Sequence, residues 1–207
     1  MSRIEQADHA VAKSKTVKSP SCGQPAFSFA PDLFLSVSRL NNSHHGVSKE
    51  LARSYAQAAD ICFDRHHKSP IGIAIKTKGK TIFRGYKWRK PNDRAKAAWA
   101  NKDDATRDGA YGVCIASVEV AEGLFAVGRA ETRTGADYYL GKTKLAKDFE
   151  RAYRLEVSGT DGSEGDATTR LKKKLQTAKG KSELPAIAAV VSFRDCVVLY
   201  GNGLSAC

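Results

Sequence analysis

Apolar positions recur along this chain with two different periods, and the switches between them mark its elements. Leu51, Tyr55, Ala58, Ala59 and Cys62 fall three or four residues apart, the stripe of a helix that buries one face. Ser48 stands where a cap belongs, so the spacing predicts a helix from Ser48 to about His66. Ile71 to Lys76 and Thr81 to Tyr86 flank Lys78-Gly79 and predict a hairpin. A short helix is expected over Arg94 to Trp99, after Pro91. Tyr111, Cys114, Ile115 and Val118 return to the helical period and predict a helix capped by Asp103 or Asp104 that runs through Glu122. Gly109 and Gly112 weaken such a helix by about 1 kcal/mol each relative to alanine, so close packing is expected there.

Three short strands follow: Leu124 to Ala130, Ala136 to Leu140 and Tyr153 to Ser158. Asp166 or Thr168 is expected to start a helix over Thr169 to Lys179. Pro185 introduces an apolar strand, Ala186 to Phe193, and Cys196 to Tyr200 forms another. Upstream, Leu33 to Val37 reads as a strand and Asn41-Asn42-Ser43 as a turn, while residues 1–30 lack periodicity and read as a flexible tail. The pattern predicts a single α/β domain with a mixed central sheet flanked by helices. It divides into the tail, an N-terminal helix and basic hairpin over 31–102, and a core over 103–207.

Composition narrows the class. Of 207 residues, 42% are hydrophobic, and no apolar run approaches a bilayer span of roughly 20 residues. The first twenty residues lack the apolar stretch of a secretory signal. Five cysteines are scattered with no C-x-x-C pair, which suits a reducing cytoplasm. The net charge of +12 is uneven: Lys76 to Lys102 holds ten Lys or Arg residues against one acid, Asp93. Phe83, Tyr86, Trp88 and Trp99 are interleaved with them. Such a strip suits a nucleic-acid backbone, with Lys76, Lys78, Lys80, Arg84, Lys87, Trp88, Arg89 and Lys90 as candidate contacts. No strongly amphipathic basic helix points to a membrane.

Candidate chemistry lies in the three-strand region. Asp137 sits on the second of these strands and Glu156 on the third, where Arg154, Glu156 and Ser158 share one face and Leu155 and Val157 the other. Two carboxylates brought together repel unless something compensates, and a divalent metal would turn the pair into a hydrolytic site. Other motifs are weaker. Ala136 to Thr143 fits a relaxed P-loop, yet Tyr138, Tyr139 and Leu140 are too bulky to wrap a phosphate. His44-His45 and His66-His67 are held about 25–30 Å apart by the helix between them, so they do not share an ion.

The order helix, three strands, helix, strand, with one acid on the second strand and another on the third, resembles the PD-(D/E)xK restriction-endonuclease-like superfamily over about residues 104–193. The segments Gly135-Ala136-Asp137-Tyr138-Tyr139-Leu140-Gly141 and Arg154-Leu155-Glu156-Val157-Ser158-Gly159 are similar to an uncharacterised bacterial branch of that fold. The resemblance implies a restriction-endonuclease-like αβββαβ core and Mg²⁺-dependent (or Mn²⁺-dependent) hydrolysis of a DNA phosphodiester, as in restriction or anti-phage defence. It implies Asp137 and Glu156 as metal ligands and Glu119 as an auxiliary acid. The superfamily's lysine two residues after the second acid is replaced by Ser158, so the cation is expected from Arg154 or from Lys172, Lys173 or Lys174, with Lys174 carried as the candidate. The partner expected is nucleic acid, DNA above all, with a homodimer or a larger defence complex as the assemblies the resemblance allows. The alternative is a non-catalytic nucleic-acid- or partner-binding module that retains the nuclease-like fold.

Overall fold

The computed structural model describes residues 29–131, 134–145, 153–178 and 183–202. All but the last two residues of the expected tail lie outside that range. The elements are α1 (Lys49–Asp64), β1 (Ile71–Thr77), β2 (Lys80–Tyr86), α2 (Asp93–Ala98), α3 (Lys102–Glu122), β3 (Phe125–Arg129), β4 (Tyr138–Gly141), β5 (Tyr153–Thr160), α4 (Glu164–Ala178), β6 (Ala186–Ser192) and β7 (Val197–Asn202). The described strands form one mixed sheet in the order β2-β1-β7-β6-β5-β4-β3. β1 runs parallel to β7 and β5 parallel to β6, while the other neighbours are antiparallel. No described helix is long and apolar enough to cross a membrane.

Helices cover both faces. α1 packs on α3, and α3 lies over β5 and β6; α4 lies over β5, β6 and β7. The alternation of β5 sorts its side chains between these layers. Leu155 and Val157 join the large core beneath α1 and α3, whereas Val190 and Leu199 meet Ala167 and Leu171 of α4 on the opposite face. β6 is buried along its whole length and is apolar up to its last residue, as a strand covered on both faces should be.

Local chemistry sets the element ends. Ser48 accepts from the Leu51 N–H and caps α1 as expected. The α3 cap is Asn101, not Asp103 or Asp104; its side chain accepts from both aspartate N–H groups, and the two acids fall in the first turn, where the helix dipole favours them. α4 begins at Glu164, ahead of the expected start. Ser163 and Asp166 form a reciprocal box there, with Ser163 N–H donating to Asp166 Oδ2 at 2.7 Å and Asp166 N–H to Ser163 Oγ at 3.4 Å.

Other departures have equally local causes. Leu33 to Val37 is not a strand: two 3-10 turns, Pro31–Leu33 and Val37–Asn42, flank a single bridge from Phe34 to Gly85. Gly85 must lack a side chain because the Phe34 ring lies against it. Cys196 falls in the turn before β7, with φ at 51°. The P-loop spacing is occupied by β4, whose residues are committed to ladders with β3 and β5. The close packing expected at Gly109 and Gly112 is present: a Cβ at Gly109 would lie 3.0 Å from the Ala59 backbone, and one at Gly112 would strike Val37 and Tyr55.

Candidate active site where β4 leaves β5

β4 pairs with β5 only from Tyr138–Leu155 to Leu140–Tyr153. Beyond Tyr138 the two strands part, so the β5 edge from Val157 to Thr160 has no described strand beside it. Asp137 sits at the fork. Its N–H donates to Leu155 O at 2.8 Å, and its Oδ2 accepts from Val157 N–H at 2.7 Å. The carboxylate thus takes the place of the carbonyl that a longer β4 would have supplied, and the strand starts at Tyr138, two residues later than the expected Ala136. Oδ1 accepts from the Tyr111 hydroxyl at 2.8 Å. Tyr111 belongs to the apolar stripe of α3, and only its hydroxyl distinguishes it from a core residue; sequence reasoning missed this role.

Glu156 precedes Val157 and points the other way, toward α4. Its side chain is 8% exposed, and Lys174 Nζ donates to its Oε2 at 2.6 Å. A carboxylate buried this deeply needs a partner with good geometry. Lys174 supplies it because α4 turns Ala167, Leu171 and Leu175 against the sheet, and position 174 falls on that same side. Lys172 and Lys173 fall on the exposed side. Of the candidate cations, Lys174 is the one that meets the second acid. Arg154 is also on this face and buried, but its guanidinium holds loop carbonyls, with Nε donating to Leu184 O at 3.2 Å and a terminal nitrogen to Thr134 O at 3.3 Å.

Glu119 does not join the pair. It lies eight residues beyond Tyr111 on α3, about 12 Å along the axis. There it accepts from His44 Nε2 at 2.9 Å. His44 is fully buried, and its Nδ1 accepts from Ala126 N–H at 2.9 Å, which leaves the ring proton on Nε2 for Glu119. That hydrogen bond holds the Glu119 carboxyl below the usual glutamate range. Here it anchors the loop before α1 to α3, apart from Asp137 and Glu156.

The basic strip divides. Lys76 pairs with Glu164 at 2.6 Å, and Trp88 stacks on Phe63 while its indole N–H donates to Asp64 at 3.1 Å, so both are built into the fold. The Arg84 guanidinium donates to Phe83 O. Lys78, Lys80, Lys87, Arg89 and Lys90 are exposed. β2 stands four strand spacings from β5, about 19 Å across the sheet. Closer to Asp137, a cleft of about 550 Å³ opens at the unpaired β5 edge, walled by Lys102, Arg107 and Tyr111 of α3, Ser158 and Gly159 of β5 and Arg170 of α4.

Hard carboxylate oxygens suit Mg²⁺, which binds through one or two carboxylates and otherwise keeps water or substrate oxygens. Both carboxylates supply such oxygens: Asp137 is bonded to the residue next to Glu156, and each of its oxygens retains a lone pair beyond the hydrogen bond it accepts. Among the described residues, no group of three or more His, Cys, Asp or Glu side chains could hold a metal. An ion here would therefore be held by few protein ligands. Comparison with protein-family models, with curated proteins and with solved structures gives no match.

Proposed function

We propose that this chain is a metal-dependent nuclease that hydrolyses DNA phosphodiesters, with Asp137, Glu156 and Lys174 as its reactive group. The observation that carries the reading is the contact of 2.6 Å between Lys174 Nζ and Glu156 Oε2. It supplies, from the following helix, the positive charge that Ser158 lacks. The element order α3-β3-β4-β5-α4-β6 and the mixed sheet accord with a restriction-endonuclease-like core. The excess of basic residues accords with a nucleic-acid substrate.

In this reading Mg²⁺ or Mn²⁺ held by Asp137 and Glu156 would supply water activation and offset the charge that builds on the phosphate. The chain's own groups do the rest. Tyr111 and the Val157 N–H fix the Asp137 carboxylate on two sides, so it needs little reorganisation when substrate arrives. Lys174 fixes Glu156 and adds a cation beside the reacting phosphate. A water oxygen forms the new P–O bond as the bond to the departing sugar oxygen breaks; the water's proton leaves to solvent, and the sugar oxygen takes up a proton from solvent to leave as a hydroxyl. A place in restriction or anti-phage defence is part of the same proposal.

The test is cleavage of plasmid and single-stranded DNA with Mg²⁺ or Mn²⁺, comparing wild type with Asp137→Asn, Glu156→Gln and Lys174→Met. Each variant is expected to lose at least about 10²-fold in rate. Undiminished cutting by Asp137→Asn and Glu156→Gln would remove the site assignment. The second reading, a binding module, is favoured by Ser158 and by Lys174 already neutralising Glu156. It predicts no cutting by any form and salt-sensitive DNA binding that all four share.

A further inference from the structure

Arg129, the last residue of β3, combines three properties seldom found together. It is exposed at the surface, yet its guanidinium is held. The group lies 5.1 Å from the centroid of the Tyr111 ring and 5.6 Å from that of Tyr138, and one terminal nitrogen donates to the Tyr55 hydroxyl at 2.9 Å. Tyr55 and Tyr138 are in turn joined hydroxyl to hydroxyl at 2.8 Å. Among the described residues, no carboxylate pairs with it. An exposed arginine usually either swings freely or closes a salt bridge; this one does neither. A guanidinium has five N–H donors in a planar fork, and among the described residues only one terminal nitrogen is engaged. The fork is therefore pre-set and charged, with no counter-ion among the described residues.

Its position gives that arrangement a use. Arg129 is the ladder partner of Tyr138, and the next residue, Ala130, donates its N–H to Asp137 O at 3.0 Å. Tyr111 joins the two: its ring lies under Arg129, its hydroxyl holds Asp137, and it walls the cleft that Arg107 and Arg170 also line. The chemistry that matches a rigid, unpaired fork is a phosphate oxygen pair. Resting on the nuclease reading, we propose that Arg129 is a substrate-binding residue that grips a backbone phosphate of the nucleic-acid strand entering the cleft beside Asp137. The tyrosines orient the fork, and the cleft walls carry the neighbouring charge.

The test is binding, in EDTA, of a fluorescein-labelled single-stranded 20-mer and its duplex, read by anisotropy across a salt series. Wild type, Arg129→Gln, Arg129→Lys and Lys49→Gln are compared, the last removing one charge from the start of α1. Arg129→Gln is expected to weaken binding about tenfold and to lower the salt slope by about one. Arg129→Lys should keep the slope and still lose several-fold, because the fork is gone. Equal binding by Arg129→Gln and wild type overturns the inference while leaving the nuclease reading standing. No binding by wild type to either DNA removes both. Displacement by low-millimolar inorganic phosphate, with matched loss in Arg129→Gln, would make this a free-anion site and overturn the strand assignment. Thermal melting guards against misfolding, and the Tyr55–Tyr138 bond survives either substitution.

Discussion

Asp60 is a carboxylate that the fold holds at a disadvantage. It lies on α1 with Oδ1 accepting from the Tyr86 hydroxyl at 2.7 Å. Burial pushes its pKa up to about 6, the Tyr86 hydrogen bond opposes that rise, and nearby Asp64 adds to it. The unfolded chain releases this proton near pH 4, as an ordinary aspartate does. The native state therefore binds the proton more tightly between about pH 4 and 6, and stability from this group falls as pH rises through that window. Above it the full cost remains. Glu119 acts in the opposite sense: its lowered pKa stabilises at neutral pH, and that contribution is lost as pH falls. Asp60→Asn isolates the first effect, because an amide oxygen can still accept from Tyr86. The variant is expected to gain about 1–2 kcal/mol at pH 7.5, since the group is only partly buried, and much less at pH 4. Melting temperatures at both values would check this, and an equal gain at both would sink it.

Between elements, the α1–α3 crossing is where glycine matters most. Alanine at position 109 would gain about 1 kcal/mol of helix propensity. The added Cβ would also lie 3.0 Å from Ala59 N and Cα, and backbone yields little. Overpacking of that kind costs about 1–3 kcal/mol, so Gly109→Ala is expected to be net destabilising in urea denaturation. Gly165, in the first turn of α4, makes the contrast, because its Cβ would meet only Ser163 Oγ at 3.4 Å. Gly165→Ala should be neutral or stabilising, and the reverse order of the two variants would refute the packing argument. The glycine spacing is legible in sequence, as are α1, the hairpin, β5 and β6, since each is a long run of one period. What periodicity misses are groups that replace backbone partners. Asp137 alternates like a strand residue, yet its side chain completes the ladder; Ser163 and Asp166 start α4 by bonding each other. At the site, Lys174 could be read from its spacing with Leu171 and Leu175. Tyr111 and Arg129 could not, because their roles depend on a hydroxyl and a ring stack formed between elements distant in sequence.

For the whole molecule, the decisive feature is that the sheet does not respect the division of the chain near residue 102. β1 pairs with β7 from Ala74–Val197 to Lys76–Leu199, placing the hairpin beside the last described strand. Ile73 and Ile75 are fully buried in the core shared with α3, and α1 covers the face of α3 that Gly109 and Gly112 leave flat. Removing 31–102 would bare the β7 edge and that helix face together. An exposed apolar edge strand pairs with other chains, and the remaining core would lose much of the apolar burial that holds a domain of this size. A 103–207 fragment is therefore expected to aggregate or to melt without cooperativity, even though it carries Asp137, Glu156 and Lys174. Circular dichroism melting and sedimentation would decide. Soluble, cooperative folding of the fragment would mean that the hairpin and α1 are an addition to a self-sufficient core. Failure would mean that the exposed lysines after β2 and the carboxylate fork, separated by at least the four strand spacings of about 19 Å across the sheet, are held at a fixed separation by one sheet. Any strand that touches both must then span that distance without help from domain motion.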